Sequence, residues 1–335
     1  MLQKLRIAAT VLVSAFLLSA CEKAEKPFQL PSLGTSQFAT VKMGQDYTDQ
    51  VYFNFETGTI SKTSLVASWD LAFESSKEGF HVFMNGAKNI FVFNTRQKDG
   101  ASVLNNYISK IKDSTFAFDA PCAMPDSTGV GDWRQADGSS KGDVYIVKMS
   151  TTKYKKIIIN SVSDAAYSLS YGDLASNSLT TISIPKNPDY NYAYFTFDDG
   201  GSIVYPEPPK ATWDIVFTRY RYIYYDMDNF PYQVSGVLLN PTGTSAVKDS
   251  TVGYAKITYQ DIANKSFSHF RDVIGFDWKS ANINEESNTA IYTVQSQKTY
   301  VVKTQRNQYW KLHFTYFYDA NGVKGSPSFE FERIQ

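Results

Sequence analysis

The 335-residue sequence predicts an all-β protein built as two tandem antiparallel β-rich domains that arose by internal duplication. Three observations carry that expectation. Tyr and Phe number 23 each, a heavy load of side chains that suit a pleated, half-buried surface. Short alternating segments are separated by turn-forming clusters such as "ETG", "DDGG", "NPTG" and "DANG". Four motifs also occur twice in the same order: "YFNFETG" at Tyr52 and "YFTFDDG" at Tyr194; "WDLAF" at Trp69 and "WDIVF" at Trp213; "GDWR" around Trp133 and "FDWK" around Trp278; "YIVKMSTTKYKK" from Tyr145 and "YVVKTQRNQYWK" from Tyr300. Their spacing grows slowly until the last pair, where the second copy gains about ten residues between Lys279 and Tyr300, the length of a longer loop.

Taken in order, the chain opens with Lys4 and Arg6, an apolar run from Ile7 to Leu18 and then "LSAC". A basic flank, a run too short to span a bilayer comfortably and small residues before the break describe a secretory signal over residues 1–20. Leu18-Ser19-Ala20-Cys21 resembles a bacterial lipobox, on which Cys21 becomes a lipidated, palmitate-bearing N-terminus; the alternative is an uncleaved anchor helix. Residues 21–40 read as a flexible tether, charged and then rich in Pro, Ser and Gly. Two β domains are expected to follow, over 41–188 and 189–335. Helices are few: residues 101–111, with Val103, Tyr107 and Ile111 at helical spacing, and a short one in "TYQDIAN". No second apolar stretch approaches bilayer length, so the mature protein reads as tethered to a membrane by its lipid and not spanning it. Cys122, without an internal partner once Cys21 is lipidated, reads as a buried free thiol.

The repeated Trp-Asp pair poses the question of chemistry. By the period of two, Trp, Leu or Ile, and Phe share one strand face, with Asp on the other. A catalytic Asp would need an acid, base or metal partner in a cleft. Duplicated residues in a duplicated fold more often maintain the fold, with Trp in the core and Asp paired to a cation or backbone N–H. Arg219 and Arg221 are nearby cations for Asp214, and Asp70 has no such neighbour in sequence. Lys+Arg equals Asp+Glu, 33 each, which argues against a polyanionic partner such as nucleic acid. No zincin, nucleophile-elbow, dinucleotide, Walker or Cys-x-x-Cys motif occurs, and the three histidines (His81, His269, His313) are far apart. An enzyme is not expected.

From Tyr190 to Gln335, the succession "ATWDIVFTRYRY", "YQVSGVLLNP", "FSHFRDVIGFDWKS", "TYVVKT" and "YWKLHFTYFYDANGVKGSPSFEFERI" resembles the HmuY family of Bacteroidota surface lipoproteins. The first repeat looks like a diverged copy of the same module. The resemblance implies an antiparallel β fold that binds haem through two axial His or Met side chains and passes it to a TonB-dependent outer-membrane receptor. The family's ligand-bearing loop after the Trp278 strand reads "SANINEESNTA" here, with neither residue type. The remaining candidates for cofactor binding are His269, Met124 and Met227. His269 and Met124 each precede a Trp (Trp278, Trp133) by nine residues, so they occupy equivalent positions; imidazole and thioether both suit haem iron. The other reading is a solvated His and a gap-filling Met. Met227 sits among aromatics in "YYDMDNF", either a stacking wall or a solvent-facing turn. His313 aligns with Ile158 and reads as packed, and His81 as a strand residue. Asp-Ser-Thr triplets at Asp113, Asp126 and Asp249 resemble O-glycosylation sites. A second functional reading is a non-haem binding or scaffold lipoprotein of a glycan or peptide uptake system, whose Tyr-rich strands stack on sugar or protein.

Overall fold

The structure is a computed structural model that describes residues 36–284, 286 and 289–334. The signal segment, Cys21 and the tether up to residue 35 lie outside the described residues. The last part of the expected tether is ordered into a strand, β1 (Gln37–Thr40). Twenty strands are present among the described residues, with only short helical turns between them. The 101–111 helix is reduced to a 3-10 segment at Asn105–Lys110, which still turns Val103, Tyr107 and Ile111 toward one apolar cluster. The short helix at Tyr259–Ile262 forms as expected, with a capping box between Thr258 and Asp261.

An inner lobe runs without interruption through β4 (Leu71–Glu74), β5 (Val82–Met84), β6 (Phe91–Asn94), β7 (Tyr145–Lys148), β8 (Tyr154–Val162), β9 (Ala166–Asp173), β10 (Thr180–Pro185), β11 (Tyr192–Thr196) and β12 (Ser202–Val204). It forms a four-stranded sheet, β12-β11-β4-β5, packed on a five-stranded one, β10-β9-β8-β7-β6. Leu71, Phe73, Trp133, Tyr145, Ile157, Tyr167 and Phe195 fill the space between them.

The outer lobe repeats this plan with strands drawn from both sides of the inner one. The early strands are β1, β2 (Asp49–Asn54) and β3 (Thr59–Leu65); the late ones are β13 (Ile215–Tyr224), β14 (Phe230–Leu239), β15 (Ser245–Asp249), β16 (Lys279–Asn284), β17 (Thr289–Val294), β18 (Thr299–Lys303), β19 (Tyr309–Tyr318) and β20 (Lys324–Ile334). Its sheets are β14-β13-β2-β3 and β1-β20-β19-β18-β15, with β16-β17 as a separate hairpin. Every pairing is antiparallel. Phe53, Phe217, Trp278, Trp310, Phe314, Phe329 and Phe331 form its core.

The sheets therefore do not divide at residues 188 and 189. Early strands β1–β3 belong with β13–β20, and β10–β12 with β4–β9. In each lobe the four-stranded sheet joins the strand that follows a Trp-Asp pair to a "YFTF" or "YFNF" strand, and in the outer lobe that strand comes from the start of the described chain.

The Trp-Asp pair marks that junction in both lobes. Asp70 N donates to Phe195 O (2.8 Å) and Asp214 N to Phe53 O (2.9 Å). The Asp70 carboxylate accepts from Phe197 N (2.7 Å), and Asp214 accepts from Phe55 N (2.8 Å). Each buried Asp thus caps the "YFTF" or "YFNF" strand laid beside it. Trp69 meets Tyr194 edge-on at 5.1 Å, and Trp213 meets Tyr52 likewise at 4.9 Å. These Trp side chains do not share a face with Leu71 or Ile215 as the period of two implied. A 3-10 turn precedes each Trp and the strand begins only after the Asp, so the alternation starts there.

Charge around the two aspartates also differs from expectation. Lys88 pairs with Asp70 at 2.5 Å, whereas Arg219 and Arg221 reach backbone carbonyls of Ala87 and Ile90 and not Asp214. Asp214 lacks a salt bridge among the described residues, and burial pushes its carboxyl up to about 6. Asp70→Asn strands the half-buried Lys88 ammonium and should cost roughly 3 kcal/mol in urea unfolding. Asp214→Asn keeps a carbonyl oxygen for Phe55 N–H and should cost less than about 1 kcal/mol. Equal costs would show that the ion pair contributes nothing.

Candidate functional site

Two loops that occupy equivalent positions in the lobes meet where the lobes join. In the inner lobe, residues 117–134 lead from β6 toward β7; in the outer lobe, residues 263–278 lead into β16. Each is anchored by a buried Trp, Trp133 donating its indole N–H to Phe80 O (2.9 Å) and Trp278 to Gly275 O (3.1 Å). The loops are joined directly, since Arg271 N donates to Cys122 O at 3.0 Å. Gly86 allows the lobes to approach: a Cβ there would lie 3.0 Å from the Arg221 backbone nitrogen.

Asp119 organises the first loop. Its carboxylate accepts from Met84 N (2.6 Å) and Gly129 N (2.7 Å), and burial pushes it up to about 6. Ala123 adopts a left-handed backbone (φ 48°), which turns the chain sharply into Met124. Met124 is half-buried, and the neighbouring Cys122 is a half-buried free thiol rather than a fully buried one. The second loop is tied to β15 through reciprocal bonds between Ala246 and Ser268, each 2.9 Å. His269 follows, exposed, with Nδ1 3.2 Å from Thr244 O. A carbonyl only accepts, so Nδ1 carries the proton and Nε2 presents its lone pair outward, the tautomer a metal ligand needs.

His269 and Met124 line one groove of about 300 Å³, together with Glu74, Tyr190, Tyr192, Lys210 and Arg271. Glu74 is committed to His81 at 2.7 Å and to two backbone N–H groups. Lys210 and Arg271 have no salt bridge among the described residues, so the groove carries uncompensated positive charge. Arg271 and Tyr192 also border an inner chamber of about 110 Å³ between the two four-stranded sheets, lined by Tyr52, Trp69, Phe83, Tyr194 and Tyr220.

The structure brings two of the three candidate ligands together and leaves the third apart. Met227 lies at the tip of the β13–β14 hairpin, 60 % exposed and outside the groove. The hairpin's extension beyond β2, which pairs only with Ile215–Phe217, carries it away. Of the "SANINEESNTA" stretch, residues 280–284 and 289–290 belong to β16 and β17, and none of these described residues lines the groove. His313 bonds Glu330 (3.0 Å) and stacks on Tyr254 (4.3 Å), as a packed residue would. Asp249, in the third Asp-Ser-Thr triplet, is buried and paired with Lys265. Sequence reasoning passed over Arg271, Lys210 and Tyr190. The available signal for Arg271 was its position two residues beyond His269, on the same face of an extended segment.

The β framework thus holds a groove whose lining combines Lys210 and Arg271 with Tyr190 and Tyr192. The model of the HmuY protein family matches residues 167–331, which bears out the resemblance noted over Tyr190–Gln335. Among solved structures, apo PinO from Porphyromonas gingivitis is 11 % identical, with 90 % of this chain and 98 % of that one covered at a TM-score of 0.34. An apo HmuY analogue from Tannerella forsythia is also 11 % identical, with coverages of 91 % and 100 % and a TM-score of 0.25. A search of curated proteins finds no match.

Beside the chamber, Glu207 is buried and accepts from Asn191 Nδ2 and from Tyr194 OH (2.9 Å). Burial pushes its carboxyl up to about 7, in the same direction as Asp119 and Asp214. The folded protein therefore holds protons that the unfolded chain releases between about pH 4 and pH 7, and stability falls as pH rises through that window. We expect a lower thermal midpoint at pH 7.5 than at pH 5.5. Glu207→Gln should flatten that slope; an unchanged slope would assign the effect elsewhere.

Proposed function

We propose that this protein binds haem in the groove between its lobes, with His269 Nε2 and the Met124 thioether as the axial pair. The observation that carries this reading is their convergence: two residues at equivalent positions in the repeats, both able to ligate haem iron, line the same groove. Tyr190 and Tyr192 supply flat walls, and Lys210 and Arg271 supply cations for the propionates. At about 300 Å³ the groove is at the small end of ligand pockets, so one edge of a porphyrin would stay exposed, open to transfer. With a lipid on Cys21, the protein would act at the outer-membrane surface and hand haem to a TonB-dependent receptor, as a carrier and not an enzyme.

The test is a hemin titration followed in the Soret region. Wild type should give a sharpened, shifted band, and His269→Ala and Met124→Ala should each weaken binding at least roughly tenfold. Met227→Ala should leave the spectrum unchanged. A wild-type spectrum identical to that of free hemin would overturn the assignment.

One observation favours a non-haem role in glycan or peptide uptake. Tyr225, Met227, Phe230 and Tyr232 are all more than half exposed on the β13–β14 hairpin, a surface suited to stacking on sugar or protein. Saturable oligosaccharide binding lost in Tyr232→Ala, together with no hemin binding, would select that role.

A further inference from the structure

The inner chamber has an imbalance of hydrogen-bonding groups. Tyr52 and Tyr192 line it at 4 % and 9 % exposure, and neither hydroxyl has a hydrogen-bond partner among the described residues. Arg271 uses Nε on Leu239 O (2.9 Å), and its two terminal nitrogens are likewise without a partner among them. Its charge acts on Tyr52, Tyr192, Tyr194 and Glu207, which places all four within its electrostatic reach. Of the other charged groups nearby, Arg219 is engaged with Ala87 O and Gln233 and Asp119 with two backbone N–H groups, while Arg221 bonds Ile90 O and lies over the Phe91 ring but leaves its buried Nε without a partner among the described residues. Glu207 is held by Asn191 and Tyr194.

The deficit is one of acceptors. A planar guanidinium fork and two phenol donors, all in the lining of one aromatic chamber, match a carboxylate. A bound carboxylate would accept from all three, and the buried Tyr220 hydroxyl in the same lining also lacks a partner among the described residues. The chamber, about 110 Å³, accommodates a carboxylate arm and not a whole cofactor. Because Arg271 and Tyr192 border both cavities, an arm entering from the groove would reach the fork.

We propose that Arg271, Tyr52 and Tyr192 form a carboxylate-binding subsite at the junction of groove and chamber, which receives a carboxylate arm of the molecule held in the groove. The identity of that arm as a haem propionate rests on the function proposed above; the subsite itself does not.

The experiment compares hemin, hemin dimethyl ester and propionate in the same mixed solvent. Wild type should bind hemin at least tenfold more tightly than the ester. Arg271→Leu should abolish that preference while leaving the Soret maximum of the bound form in place, because the axial ligands are untouched. Equal affinities for hemin and ester in wild type would overturn the arm assignment. If neither porphyrin binds, the haem reading fails, and propionate decides the subsite alone. Saturable quenching of intrinsic fluorescence that is lost in the Tyr52→Phe/Tyr192→Phe variant would uphold the subsite, and no saturable change would overturn it. That double variant removes only hydroxyls, so it serves in place of Arg271→Leu should the latter fail to fold by circular dichroism.

Discussion

Each lobe depends on a strand laid beside its Trp-Asp segment and fixed there by a buried carboxylate. Asp70 holds β11, and Asp214 holds β2. In both places the preceding Trp, the Asp backbone N–H and the Asp carboxylate contact the first, second and fourth residues of the "YFTF" or "YFNF" segment. A matching amide stands behind each: Asn85 donates to Val66 O and Trp69 O, and Asn240 to Lys210 O and Trp213 O. These contacts extend the β4–β11 and β13–β2 ladders of the four-stranded sheets, and the inner faces of both cores are built on those sheets.

The groove follows from the same geometry. Because the lobes present equivalent loops toward one another, a position repeated in sequence becomes a pair facing one space. His269 and Met124 are such a pair. The loops are held from below by Trp133 and Trp278, and across the junction by the Arg271–Cys122 backbone bond. The side chains at the surface of these loops are free to carry binding chemistry because buried neighbours already fix the backbone.

Much of this was legible in the sequence. The alternating strands, the turn clusters and the repeated motifs announced an antiparallel β protein, and the nine-residue spacing before Trp133 and Trp278 pointed to the two residues that share the groove. The Trp-Asp pair was rightly read as structural. What the residues could not reveal was the phase of the repeat. Strand pairing is non-local, and "YFNF" carries no mark saying that its partner lies beyond the whole inner lobe. The cation on Asp70 was hidden for the same reason: Lys88 sits on a separate 3-10 turn brought over by β5. Of the two readings of Met227, a stacking wall or a solvent-facing turn, the second matches its place at the hairpin tip, which a hairpin's length determines and aromatic neighbours alone do not.

The pairing of β1 with β20 sets an order of events along the chain. Gln37–Thr40 must find Ser328–Phe331, with nearly the entire sequence between them. As an open loop, such a closure would be slow. The inner lobe is continuous, however, and can condense first. Once it has, the segment leaving at Leu65 and the one arriving at Lys210 are neighbours: Asn54 and Ser61 both donate to Thr212 O. The inner lobe then acts as a clip that converts a remote encounter into a short one. Until the last strand is made, β1–β3 wait with unpaired edges, so their time of greatest vulnerability to misassociation is set by how quickly the C-terminal strands arrive.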